Sequence, residues 1–170
     1  TESWSFTIDV TAPPVPTLLS PANGAQINDN TPALDWSDVS DPSGVTYRLQ
    51  VDNNSDYSSP GVDVSGLSTS TYTPAALADG TYYWRVMAVD GLGNPNGWTA
   101  SWAFTVDTIA PVATISGQPT GIVSYNWAYI EVNGEGVVAY KYRLDSASWS
   151  GETLVTIAIN RTQLSDGQHK

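Results

Sequence analysis

The chain has 170 residues, 41% of them hydrophobic and 11% aromatic, enough to pack a core; it lacks cysteine, which excludes disulfides, thiolate metal sites and cysteine nucleophiles. Six Lys and Arg against 17 Asp and Glu leave a net charge of −11, which excludes a phosphate-neutralising nucleic-acid surface and attraction to anionic lipid. No apolar run reaches the length of a membrane span, so the reading is no membrane insertion in this segment.

Thr1-Glu2-Ser3-Trp4 reads as mid-domain sequence, so the expectation is a piece of something longer. Residues 4–13 (Trp-Ser-Phe-Thr-Ile-Asp-Val-Thr-Ala-Pro) recur at 102–111 as Trp-Ala-Phe-Thr-Val-Asp-Thr-Ile-Ala-Pro. Two further matches keep the same order. Tyr47-Arg48-Leu49 recurs as Tyr142-Arg143-Leu144, and Leu77-Ala78-Asp79-Gly80 as Leu164-Ser165-Asp166-Gly167. Matches in order mark an internal repeat. Residues 1–11 are therefore expected to be the last strand of a preceding module, 12–108 a complete module, and 109–170 a module lacking its last two strands. The Ala-Pro pairs are stiff boundaries, because proline fixes φ and restricts the residue before it.

Within 12–108 the expected strands are about 15–20, 32–37, 45–52, 61–65, 69–73, 81–90 and 99–107. The best of them alternate with period two. Tyr47, Leu49 and Val51 face one way; so do Tyr82, Trp84, Val86 and Ala88, and Trp102, Phe104 and Val106. Turn clusters separate them: Asn23-Gly24, Asp41-Pro42-Ser43-Gly44, Asp79-Gly80 and Asp90-Gly91-Leu92-Gly93-Asn94. The only helical expectation is a single turn at Pro74–Ala78. Seven short strands with regular turn signals describe a β-sandwich.

Several motifs carry a resemblance. Ala33-Leu34-Asp35-Trp36 is similar to the second strand of a fibronectin type III-like module, with Trp36 as its core tryptophan. Leu77-Ala78-Asp79-Gly80-Thr81-Tyr82-Tyr83-Trp84-Arg85-Val86 resembles the E–F corner and strand F of that family. Asp90-Gly91-Leu92-Gly93-Asn94 and Val106-Asp107-Thr108-Ile109-Ala110-Pro111 look like the F–G turn and linker of bacterial Ig-like surface repeats. Tyr142-Arg143-Leu144-Asp145 with Trp149-Ser150-Gly151 resembles the C and C′ region of the same group. The resemblance implies an all-β fold of tandem Ig-like (fibronectin type III-like) β-sandwiches at the cell surface or outside the cell. It does not fix a function, because such folds host many.

The chemistry-bearing residues point to no enzyme. The single histidine, His169, cannot complete a Ser-His-Asp relay unless it is held and oriented. Glu131, Glu135, Asp145 and Glu152 fall beside turns and on strand faces, where solvated carboxylates are ordinary. Trp98 and Trp149 are the tryptophans least tied to a core face, and they are the candidate ligand-binding residues, together with Trp127, Tyr57 and Tyr125. Asp9, Asp52, Asp90, Asn94, Asn96 and Asp107 cluster at module ends. Calcium, a hard cation taking six to eight oxygens, is the one cofactor they admit, with Asp90 and Asp107 as its candidate ligands. Turn chemistry accounts for the same positions. Asn53-Asn54-Ser55 and Asn160-Arg161-Thr162 are glycosylation sequons.

The leading expectation is a non-enzymatic stalk, spacer or adhesive array of a secreted or cell-surface microbial protein. Its partners would be neighbouring modules of the same chain or other copies. One alternative is a carbohydrate-binding accessory module of a polysaccharide-degrading enzyme, with surface glycans as partners. A second is a filament subunit in which residues 1–11 donate a strand to another copy.

Overall fold

Alternating side chains cut by glycine-rich turns produce thirteen strands and no helix among the described residues. The computed structural model describes residues 3–6 and 8–170. Contacts divide the chain into two units, Thr1–Thr108 and Ile109–Lys170.

In the first unit a three-stranded antiparallel sheet runs in the order β1 (Leu18–Ser20), β3 (Leu34–Trp36), β6 (Thr71–Tyr72). A five-stranded sheet runs in the order β2 (Ala25–Ile27), β8 (Trp102–Val106), β7 (Gly80–Asp90), β4 (Val45–Asp52), β5 (Val62–Leu67). The central pair, β4 and β7, is antiparallel over eight positions, from Val45 opposite Asp90 to Asp52 opposite Tyr83. Seven of the eight strands fall on sequence-expected segments. The eighth, β2, was not expected. It pairs in parallel with β8, Ala25 opposite Phe104 and Ile27 opposite Val106. Three residues carry no readable period, and β2 exists because β8 offers its free edge.

The alternation sends one set of side chains inward. Leu18, Leu34, Trp36, Tyr47, Leu49, Val51, Trp84, Val86, Ala88, Phe104 and Val106 form one buried cluster drawn from both sheets. Each large apolar side chain so buried contributes about 1.5–3 kcal/mol. Trp36 meets Tyr47 edge-on at 5.5 Å, and Trp84 meets Trp102 edge-on at 6.3 Å. The indole Nε1 groups of Trp36 and Trp84 are buried without a hydrogen-bond partner among the described residues. At the corner before β7, the Tyr82 hydroxyl donates to the Ala78 carbonyl at 3.0 Å, which pins the turn onto the sandwich. Pro74–Ala78 forms no helix.

Residues 3–6 and 8–11 join no sheet, and Trp4 is 89% exposed. Phe6, Ile8 and Val10 are exposed with it. The segment repeats the β8 sequence, but among the described residues it pairs with no strand of this unit.

The second unit holds an antiparallel sheet in the order β13 (Ile159–Arg161), β10 (Ala128–Asn133), β9 (Thr114–Ser116). A separate two-stranded ladder joins β11 (Ala139–Tyr140) to β12 (Thr153–Leu154). The first of these sheets repeats the order of β1, β3 and β6. Tyr142–Leu144 lies outside any strand, although the repeat matches it to part of β4. The difference is pairing. β4 is held on both sides over most of its length, whereas β11 has β12 alone among the described residues.

Candidate functional site

The outward face of the five-stranded sheet gathers the unusual side chains of the first unit. Arg48 and Arg85 are the only basic residues in positions 1–108. The alternation that buries Leu49 and Val86 turns both outward, on adjacent strands. Arg48 binds Asp63 with both prongs, Nε to Oδ1 at 2.8 Å and Nη2 to Oδ2 at 2.7 Å. These bonds hold the Asp63 carboxyl below its ordinary range, with Gln50 Nε2 adding a third donor at 2.9 Å. Arg85 instead donates Nε and Nη2 to the neutral Oε1 of Gln50, at 3.0 and 2.7 Å. Its guanidinium lies over two rings, 3.9 Å from the Tyr57 centroid and 4.5 Å from that of Trp98. Arg48 sits 5.6 Å from the same indole. Trp98 is thus already stacked by cations, and this stack was not legible in the spacing of its members. Tyr57 is buried, which raises its phenol above the ordinary value, and its hydroxyl bonds Ser101.

A second constellation lies at one end of the same unit. Carboxylate oxygens of Asp9, Asp41 and Asp90 all lie within 4.8 Å of one another. They come from the segment before β1, the loop before β4 and the last position of β7. Asp90 is 4% exposed. Its Oδ1 accepts from the Leu92 and Asn94 backbone N–H groups at 2.9 and 2.7 Å, and its Oδ2 from Asn94 Nδ2 at 2.7 Å. Burial would raise this carboxyl, but these bonds outweigh it and hold the group below its ordinary range. Gly91 lets the turn come this close. A Cβ there would stand 2.0 Å from the Ser43 carbonyl oxygen. Its N–H donates to Ser43 Oγ at 3.1 Å, while Ser43 donates to Asp41 Oδ1 through both N–H and Oγ.

These three carboxylates could supply part of a hard-cation shell. Asp9 belongs to the sequence cluster at module ends, and Asp90 is one of its two candidate ligands. Asp107, its expected companion, lies beyond β8 with its N–H bonded to the Ile27 carbonyl, and the trio uses Asp9 and Asp41 instead. Asp52 and Asn96 serve turns and loops: Asp52 accepts from the N–H groups of Asn54 and Ser59, and Asn96 bridges Ala88 N–H and the Pro14 carbonyl.

In the second unit Trp149 is exposed, with the Arg143 guanidinium 5.1 Å from its ring centroid. His169 Nδ1 lies 2.8 Å from Asp145 Oδ2, and its Nε2 lies 2.8 Å from the Ser165 carbonyl, not from a serine hydroxyl. The imidazole is held at both nitrogens, by a carboxylate and a backbone carbonyl.

Residues 20–108 match the family model described as "Bacterial Ig-like domain". The chain belongs to this family. No curated protein matches it. Among solved structures the Ig-like chain is similar to the fibronectin(III)-like modules of Clostridium thermocellum CbhA. That likeness has 13% identity and a TM-score of 0.50 over 91% of this chain and 81% of that one. A looser likeness, with 16% identity and a TM-score of 0.42, is to dimeric latent PorU from Porphyromonas gingivalis, covering 89% of this chain and 17% of that one. The CbhA likeness, at 13% identity, shows the fold alone, and the Ig-like, fibronectin(III)-like β-sandwich expected from sequence stands.

Proposed function

We propose that this structural module is a load-bearing spacer of an extracellular or cell-surface protein, non-enzymatic and arranged in tandem with like modules. The parallel pairing of β2 with β8 carries the reading. β2 lies near the start of the first unit and β8 at its end. In a parallel pair the start of one strand and the end of the other lie at opposite ends of the ladder. Tension between them therefore loads its hydrogen bonds together, in shear, rather than one after another. Gly24 N–H to the Ala103 carbonyl at 2.7 Å and Asp107 N–H to the Ile27 carbonyl at 2.9 Å flank the ladder at its two ends. The exposed row Trp4, Phe6, Ile8 and Val10 supports the tandem arrangement. It is the β8 pattern without a sheet, the form in which a neighbouring module's last strand would arrive.

Single-molecule stretching of the full chain tests this. The expected result is a discrete rupture of the first unit with a length gain of about 300 Å, from roughly 90 residues at 3.3–3.6 Å each. Ile27→Pro, which removes the β2 N–H on the side facing β8, where the Ile27 carbonyl accepts the Asp107 N–H, should lower the rupture force. An unchanged force in that variant rejects the shear clamp and the load-bearing reading with it.

A further inference from the structure

Three Asn-Gly pairs punctuate the chain: Asn23-Gly24, Asn96-Gly97 and Asn133-Gly134. Asparagine before glycine is the dipeptide most open to uncatalysed ring closure, because the next amide nitrogen reaches the side-chain carbonyl carbon with no Cβ in its way. Closure needs a side chain free to swing back over its own backbone. Two of the three pairs lack that freedom. Asn23 Oδ1 accepts the Ala103 N–H at 2.9 Å, while the Gly24 N–H, the nucleophile of the closure, donates to the Ala103 carbonyl at 2.7 Å. Asn96 is held at both ends of its amide: Oδ1 accepts the Ala88 N–H at 2.9 Å, and Nδ2 donates to the Pro14 carbonyl at 2.7 Å. Asn133 is exposed, and its side chain has no hydrogen bond among the described residues. It is the last residue of β10, opposite Thr114 of β9. Only glycine fits after it: Gly134 has φ 143°, and a Cβ there would collide with the Val112 carbonyl oxygen. The fold therefore places a labile pair at this strand end and holds its side chain by nothing.

We propose that Asn133 is a site of spontaneous covalent modification, converted to aspartate and isoaspartate while Asn23 and Asn96 are protected by their hydrogen bonds. The Gly134 nitrogen attacks Asn133 Cγ, the N–Cγ bond forms, and the Cγ–Nδ2 bond breaks. The nitrogen's proton leaves with the amide group as ammonia. Water then opens the cyclic imide at either carbonyl. One opening restores the main chain with an aspartate side chain, and the other routes the main chain through the former side chain and lengthens it by one carbon. Either product puts a new carboxylate where β10 meets β9. The proposal does not rest on the spacer reading.

The test is incubation of the full chain at mildly alkaline pH, native and in guanidinium chloride, followed by chymotryptic mapping with mass spectrometry. Cleavage at tryptophan and tyrosine puts the three asparagines on different peptides. In the native protein the mass gain of amide-to-acid conversion is expected at Asn133, in two chromatographically distinct products. Asn23 and Asn96 should react slower by about tenfold or more, because their hydrogen bonds must break before closure. In guanidinium chloride the three rates should converge, since the dipeptide is the same. Asn133→Gln, whose closure needs a larger ring, should lose the native signal. Native conversion of Asn23 or Asn96 as fast as that of Asn133 would overturn the proposal. So would an Asn133 that stays intact while the unfolded chain reacts, or a rate order that persists in guanidinium chloride.

Discussion

The Arg85 guanidinium lies 3.9 Å from the Tyr57 ring centroid, tying the centre of β7 to the loop after β4. Tyr57 adopts φ 54°, a left-handed conformation that costs a non-glycine residue on the order of 1 kcal/mol or more. The stacked cation and the Ser101 hydroxyl offset that cost. A double-mutant cycle of Arg85→Ala with Tyr57→Ala, read by urea unfolding, is expected to give a coupling of about 0.5–2 kcal/mol. Additive single effects would show that the contact contributes nothing. Tyr57→Phe, which loses only the bond to Ser101, should cost about 1 kcal/mol.

Trp36 tests the core. It is fully buried between the sheets and edge-on to Tyr47, whose hydroxyl accepts the Val39 N–H at 3.0 Å. Trp36→Ala should lower stability by about 3–5 kcal/mol through lost burial and a residual cavity. Trp36→Phe should cost distinctly less. It keeps most of the apolar volume and removes an indole N–H that has no partner among the described residues. Melting curves of the three proteins decide the order. A Trp36→Ala protein that melts with the parent would remove Trp36 from the core.

The strands that sequence located well are those whose partners enforce a strict alternation. β4 spans the expected 45–52, and β7 adds only Gly80 to the expected 81–90. β8 is shorter than expected, because Thr99 leaves the ladder to bond Val86: its N–H donates to the Val86 carbonyl and its hydroxyl accepts the Val86 N–H. β2 escaped because its reason for being a strand lies some 80 residues away on β8. The same distinction governs the candidate sites. Asp90 was visible because the turn residues around it are local. Asp41 joins it only through the close approach of Gly91 to Ser43, and Trp98 meets Arg48 and Arg85 only once β4 and β7 are side by side. Contacts between distant segments leave no period in the sequence.

His169 offers a spectroscopic prediction, since it is the only histidine. The hydrogen bond to Asp145 raises its pKa above the ordinary value, helped by the Ser165 carbonyl, and the same bond lowers that of Asp145. A raised histidine contributes stability that is full below about pH 6.5 and is lost as pH rises through its folded pKa. A lowered aspartate contributes above about pH 3.9 and is lost as pH falls through its folded pKa. The pair should therefore be tightest between about pH 4 and 6.5. NMR titration of the imidazole should give a midpoint above the ordinary value in the parent and near it in Asp145→Asn. Equal midpoints would show that the contact does not persist in solution.

The last prediction concerns Asp9, Asp41 and Asp90. Three carboxylates within 4.8 Å repel one another when ionised, and a hard cation among them would turn that repulsion into coordination. A ligand that binds only the folded state stabilises it by an amount that grows with the logarithm of its concentration. Millimolar calcium should therefore raise the melting temperature of the first unit relative to EDTA, and magnesium should do so less, because it demands a tighter octahedral shell. Asp41→Asn should abolish most of the calcium effect and leave the EDTA melt little changed, since the amide oxygen of the substituted side chain can still accept the Ser43 N–H that Asp41 holds at 2.9 Å. Asp107→Asn should not alter the calcium effect, because Asp107 lies outside the trio. Coincident melts in calcium and EDTA would leave Asp90 as the cap of its own turn, satisfied by Leu92 and Asn94 alone.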